Sequence, residues 1–339
     1  MAAASQVRRL LAAATLAALQ LSAPAAVAAT GCPLVPTAVV SLDVPRFYSD
    51  AAGTIVDPTL KALHAKAVEP LTAFLRQVAS DADHAATRAS PKSRADSAAC
   101  ALTWLQTWAA QGAWLGIMST KQAEYQRKWD LAGVALAYLK VRSFARPDQR
   151  QVIEPWLQRF ADTARAFFDD PEHKRNNHWY WLGLGEAAVG LATDSPRHFD
   201  IARGIMQDAA REISANGTLP EELARGRRAL HYHVFALVPL VIMAELAAAR
   251  DEDWYAFANG ALHRLTHVTA AALEQPETFD RLAGVPQERP PNARAGWLQV
   301  YRKRFPQRVV PDLPSVAEGH RWLGGNVMVL LSALEHDRF

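Results

Sequence analysis

Cysteine is scarce: the 339 residues contain two, Cys32 and Cys100. That excludes a cysteine-built zinc site and a disulfide-dense scaffold. Excess charge is missing too. Setting aside Arg8 and Arg9 from the 37 basic residues leaves 35 against 34 acidic ones. So even a balance excludes the broad basic face that nucleic acid needs, and a polyanionic ligand must be held by local clusters. There is no run of alternating β-branched residues, no fixed-period repeat and no low-complexity stretch beyond the N-terminus. HEXXH, G-x-S-x-G and P-loop motifs are absent, and Gly183-x-Gly185 reaches Gly190 with the wrong spacing for a dinucleotide fingerprint. His231 and His233 stand two apart, on different faces of a helix, and make a poor metal pair. Past the N-terminus no stretch is both long and apolar enough to span a bilayer: residues 234–249 are short, carry Glu245 and are broken by Pro239.

What is present begins with an export signal. Arg8 and Arg9 precede an alanine- and leucine-rich stretch that ends in the small residues 25–29. Residues 1–29 therefore read as a signal peptide, leaving residues 30–339 as a single periplasmic or secreted domain. A retained anchor is the competing reading, and the cleavable alanine-rich end speaks against it. Export into an oxidising compartment, with an even cysteine count, predicts a Cys32–Cys100 disulfide.

The rest reads as all-α. Leu60, Leu63, Ala67, Leu71 and Leu75 recur at helical spacing, as do Trp129, Ala132, Leu136 and Leu139. Residues 179–192 and 230–249 are apolar nearly all round, which places them between other helices. An inner and an outer ring of helices would do this, and so would a thick bundle. Residues 39–58 and 275–294 are the least helical, and the second, with Pro286, Pro290 and Pro291, reads as a long surface loop.

Two clusters could carry chemistry. Lys174-Arg175-Asn176-Asn177-His178-Trp179-Tyr180-Trp181 sets amides, an imidazole and aromatics at the start of an apolar helix. Asn there also serves as an ordinary N-cap. Further on, Arg225, Arg228 and Tyr232 share one helix face. Arginines entering so apolar a helix need an anion, either Glu221 or Glu222 or an acidic ligand.

Read together, Asn176-Asn177-His178-x-Tyr180-Trp181 and Leu219-Pro220-x-Glu222-Leu223-x-Arg225-x-x-Arg228-Ala229-Leu230-x-Tyr232-His233 resemble the periplasmic alginate lyases that cleave at mannuronate. Shorter matches lie at Cys32-Pro33, Cys100, Arg127-Lys128-Trp129, Ala137-Tyr138, Trp297-Leu298 and Tyr301. The resemblance implies an incomplete α/α toroid with a groove across one end. It implies catalysis by Asn177, His178, Arg225 and Tyr232, with no metal or organic cofactor. Residues expected along an acidic polysaccharide are Arg46, Tyr48, Lys128, Trp129, Arg175, Trp181, Arg228, Trp297 and Tyr301. Arg46, Phe47 and Tyr48 sit where the family has a basic lid, and Phe235 stands where many members have a second tyrosine. The expected state is a monomer with no membrane span and no nucleic-acid partner.

A uronate lyase must take the C5 proton beside a carboxylate and expel the C4 oxygen. Donors on the carboxylate stabilise the enolate-like state, and nearby arginine charge is expected to lower the pKa of Tyr232 as the base. Competing readings are a lyase for another polyuronate such as polyglucuronate, a helical-toroid hydrolase needing two opposed carboxylates, and a non-catalytic polysaccharide-binding protein.

Overall fold

The computed structural model describes residues 31–50, 55–290, 296–308 and 320–336. The signal-peptide reading of residues 1–29 lies outside them, as do residues 291–294 at the end of the expected loop. The first helices are α1 (Pro58–Ala67), α2 (Glu69–Thr87), α3 (Pro91–Ala110), α4 (Lys121–Val141) and α5 (Pro147–Phe168). Then come α6 (Asn177–Ala192), α7 (Pro196–Glu212), the single turn α8 (Pro220–Leu223) and α9 (Ala229–Ala248). The C-terminal part adds α10 (Phe257–Glu274), α11 (Glu277–Ala283), α12 (Trp297–Arg304) and α13 (Val327–His336). Among the described residues no strand forms, only isolated bridges.

The hydrophobic pattern sorts these helices into two layers. α4, α6 and α9 are buried on nearly every face, whereas α3, α5, α7 and α10 bury one stripe and expose the other. In chain order outer and inner helices alternate, and α6 packs against α4, α7 and α9. This is an incomplete α/α toroid. Such close inner packing needs small residues: a side chain at Gly185 would collide with Leu131, and one at Gly190 with the backbone of Phe199.

Two expectations change. α9 runs on through Pro239, because burial on all sides holds the turn that a proline would otherwise open. With its 3₁₀ entry, the continuous segment Gly226–Ala248 is long and apolar enough to cross a membrane by length and composition, and most of it is buried inside the protein. The expected loop of residues 275–294 also contains α11, which forms because Phe279 is buried against the His233 ring.

The N-terminal arm is extended, as expected, and tied to α3. Cys32 and Cys100 form a disulfide across 68 positions. The indoles of Trp104 and Trp108 donate to the carbonyls of Pro33 and Pro36 at 3.2 and 2.9 Å. Bridging of Leu42 to Met118 continues the docking and delivers residues 46–48 to one end of the toroid. Replacing both cysteines by serine is expected to destabilise the protein by about 2–4 kcal/mol. Denaturant unfolding reads this as a lower midpoint, and an unmoved midpoint would show the crosslink to be idle.

Candidate active site

A cleft of about 990 Å³ crosses one end of the toroid. The start of α6 supplies its floor. Asn176 is the N-cap, its Oδ1 accepting from the amide of His178 at 3.0 Å. That leaves Asn177, the next residue, with its side chain directed elsewhere. It is fully buried, and its main-chain amide and Nδ2 both donate to Glu222 Oε1, at 2.7 and 2.9 Å. The carboxylate takes one of the two Nδ2 hydrogens.

His178 stacks on Tyr125 with ring centroids 3.8 Å apart and lines the cleft. Burial, followed by the charges of Lys128 and Arg225, holds its imidazole well below the usual histidine pKa. It is a neutral donor or acceptor at physiological pH.

The second motif does not form one continuous helix. α8 ends at Leu223, Arg225 sits in a turn, residues 226–228 make a 3₁₀ turn, and α9 starts at Ala229. His233 stabilises this bent entry. Its Nδ1–H donates to Ala229 O at 2.8 Å, and its Nε2 accepts from the Leu219 amide at 3.0 Å. Both partners fit a neutral ring, and burial pushes its pKa down to about 4. The bend brings both arginines to one tyrosine. The Arg225 and Arg228 guanidiniums lie 4.1 and 5.1 Å from the Tyr232 ring centroid. Arg228 also donates to Tyr48 Oη at 3.2 Å, so the N-terminal arm closes over the tyrosine.

The expected lowering of the Tyr232 pKa is reversed. Burial and the neighbouring Tyr48 raise it above the ordinary value of about 10, and Arg225 and Arg228 only offset part of this. The cations stack on the ring, and a tyrosine only 7 % exposed has little solvent to stabilise its phenolate.

Of the other expected residues, Arg46, Tyr48, Trp129, Trp181, Arg228 and Trp297 line the cleft. Phe235 does as well, packed on Trp181 at 5.2 Å. Three do not reach it. Lys128 is fully buried because α4 is an inner helix, and its ammonium lies 3.7 Å over the Trp129 ring, behind the cleft wall. Arg175 lies on the outer side, its guanidinium 3.8 Å above Trp179. Tyr301 faces away along α12, its hydroxyl 2.7 Å from His263 Nδ1.

Sequence reading missed three contributors. Glu222, which the sequence offers only as an ion-pair partner, joins the two motifs, holding Asn177 and lying 3.8 Å from Arg225 Nε. Tyr125 stands four residues before Trp129 on α4, a spacing that could have marked it. Trp322 comes from near the C-terminus and stacks on Trp129 at 4.6 Å, and no local pattern signals that contact.

With this geometry in place, comparison with known proteins is decisive. The alginate lyase family model matches residues 43–279. This chain belongs to the alginate lyase family. A polysaccharide lyase of Stenotrophomonas maltophilia is 41% identical over 284 residues, which are 83% of this chain and 84% of that protein. An alginate lyase of Azotobacter vinelandii is 34% identical over 287 residues, 80% of this chain and 76% of its own. Among solved structures, a variant of alginate lyase A1-III complexed with a tetrasaccharide superposes with a TM-score of 0.76 at 24% identity, over 89% of this chain and 86% of that one. Alginate lyase A1-III from Sphingomonas species A1 gives a TM-score of 0.75 at 23% identity over the same shares. Both structures share the family's toroidal fold with this chain.

Proposed function

We propose that this protein is an exported lyase that cleaves alginate at mannuronate by β-elimination. The observation that carries this is the convergence of Asn177, His178, Arg225 and Tyr232 on one cleft with aromatic walls. Asn177 Nδ2, His178 and Arg225 are donors for the C5 carboxylate, and they stabilise the charge that spreads onto it as the C5 proton leaves. Tyr232, as phenolate, takes that proton. The C5–H electrons form the C4–C5 double bond, the C4–O bond breaks, and the phenol returns the proton to the departing glycosidic oxygen. Nothing is oxidised, and no water enters the products.

A tyrosine with a raised pKa is a scarcer base but a stronger one, which suits a weakly acidic C5 proton. Arg228 and Tyr48 cover the tyrosine from the open side and keep water from the proton. Export to the periplasm rests on the N-terminal signal pattern alone.

In mannuronate the C5 proton and the C4 oxygen lie on the same side of the ring, so one tyrosine serves both. Guluronate would need a second group opposite Tyr232. Release of unsaturated product is expected to be about tenfold or more faster from polymannuronate than from polyguluronate. A faster rate on guluronate blocks would overturn the assignment.

The pH dependence follows from the two shifted groups. His178 is already neutral below its ordinary pKa of about 6.5, so it adds no acidic limb there. Because the phenolate of Tyr232 is the active form and its pKa is raised, kcat/KM is expected to climb through neutral pH and keep climbing past about pH 9. A decline between about pH 8 and 9 in a folded enzyme would contradict this role.

A further inference from the structure

Part of the cleft wall is built by a loop far away in sequence from the N-terminal arm. His320 and Gly325 exchange main-chain hydrogen bonds at 3.1 and 3.2 Å, closing a tight loop around Trp322. Gly324 and Gly325 have φ of +64° and +96°, values that only glycine adopts readily. The loop lies directly on inner helix α4: a side chain at Gly133 would strike the Arg321 carbonyl, and one at Gly324 the backbone at Ala137.

An ion pair whose lysine is buried also bonds this loop. Lys140, fully buried on α4, donates to Gly324 O at 2.7 Å, to Asn326 O at 3.0 Å and to the Asp83 carboxylate. Asp83 of α2 accepts the Asn326 amide at 2.8 Å through its other oxygen. Two core helices and the loop thus meet at one ammonium. The loop in turn sets Trp322 against Trp129, whose ring centre lies 5.8 Å from that of His178, and both indoles line the cleft.

We propose that Asp83 and Lys140 form a positioning latch that fixes the loop of residues 320–326, so that Trp322 and Trp129 make a rigid wall gripping the uronate chain. The inference rests on the functional reading above. A buried lysine satisfying two carbonyls of one loop is a costly arrangement for stability alone, since a packed apolar residue often serves as well. Here it defines where the loop sits. The latch touches neither substrate nor the reacting atoms, so its loss should weaken substrate binding and spare the chemical step.

Lys140→Met keeps the side-chain stem and removes all three donors. Gly325→Ala leaves the ion pair's own groups intact and drives a methyl group into the Asp83 carboxylate, lifting the loop instead. Both variants are expected to raise KM for alginate about tenfold with kcat within about threefold of wild type. Trp322→Ala should raise KM as much, and adding Lys140→Met to it should cost little more, since both remove one wall. If Lys140→Met does not fold, Gly325→Ala carries the test. Unchanged KM in folded variants of lowered Tm would reduce the pair to a structural brace and overturn the proposal. A collapse of kcat at constant KM would overturn it equally. A wild-type protein that cleaves no alginate would defeat the functional reading instead. The latch would then be judged by indole-fluorescence titration with a mannuronate oligosaccharide, where equal affinity of wild type and Gly325→Ala would sink it.

Discussion

Tyr232→Phe is expected to lower kcat by several orders of magnitude, beyond the ~10²–10⁴-fold usual for a general acid–base group. In the proposed mechanism the hydroxyl removed is the base for C5 and the acid for the leaving oxygen, so both halves of the proton transfer fail together. The phenyl ring keeps the arginine stacking at 4.1 and 5.1 Å, and oligosaccharide affinity should barely change. Loss of the contact with Tyr48 costs about 1 kcal/mol of stability. Steady-state kinetics beside a binding titration separates the two effects. Turnover within a few-fold of wild type, in a folded variant, would mean that Tyr232 is a packing residue and that another group moves the proton.

Glu222→Ala is expected to have the second largest effect, lowering kcat by about 10²–10³-fold, the usual cost of losing one preorganised donor. Glu222 does not line the cleft. It holds Asn177 at two points and helps set the Arg225 guanidinium. Without it the Asn177 amide is free to turn, and its buried main-chain N–H loses its partner, which costs about 1–3 kcal/mol. Burial pushes the Glu222 carboxyl pKa up, and the two amide bonds and Arg225 work against that shift. Glu222→Gln tells positioning from charge, because a glutamine oxygen can still accept from both Asn177 groups. Most of the lost kcat should return in Glu222→Gln. If alanine and glutamine variants are equally impaired, the carboxylate charge matters and the orientation of Asn177 does not.

Much of this architecture could be read from residue periodicity. α6 and α9 lack a polar face, and only a position between other helices can bury such a cylinder. Periodicity could not choose between a thick bundle and a toroid. That choice depends on which helices surround α4, a matter of long-range packing. The site was legible where its residues cluster in sequence, at 176–181 and 219–233. It was illegible where contacts come from far away. Lys128 lies in a motif-like Arg-Lys-Trp run, yet the helix it belongs to is wholly internal, so burial depresses its pKa and hides it behind Trp129. Tyr301 follows Trp297 by one helical turn, but α12 leaves the cleft within that turn. Trp322 reaches the site from a loop nearly two hundred residues downstream of Lys140, which with Asp83 bonds that loop. The expected effect of arginine charge on Tyr232 failed for a related reason, since spacing conveys proximity of charge but not the depth of burial that outweighs it.

The reaction class itself is read most directly from product masses. Wild-type enzyme is incubated with a defined mannuronate oligosaccharide, and the fragments are weighed. Elimination adds nothing to the chain, so the masses of the two fragments from each cut should sum to that of the parent, with a double bond on the new non-reducing end. Fragments that together gain one water per cut would make the protein a hydrolase and contradict the mechanism built on Tyr232.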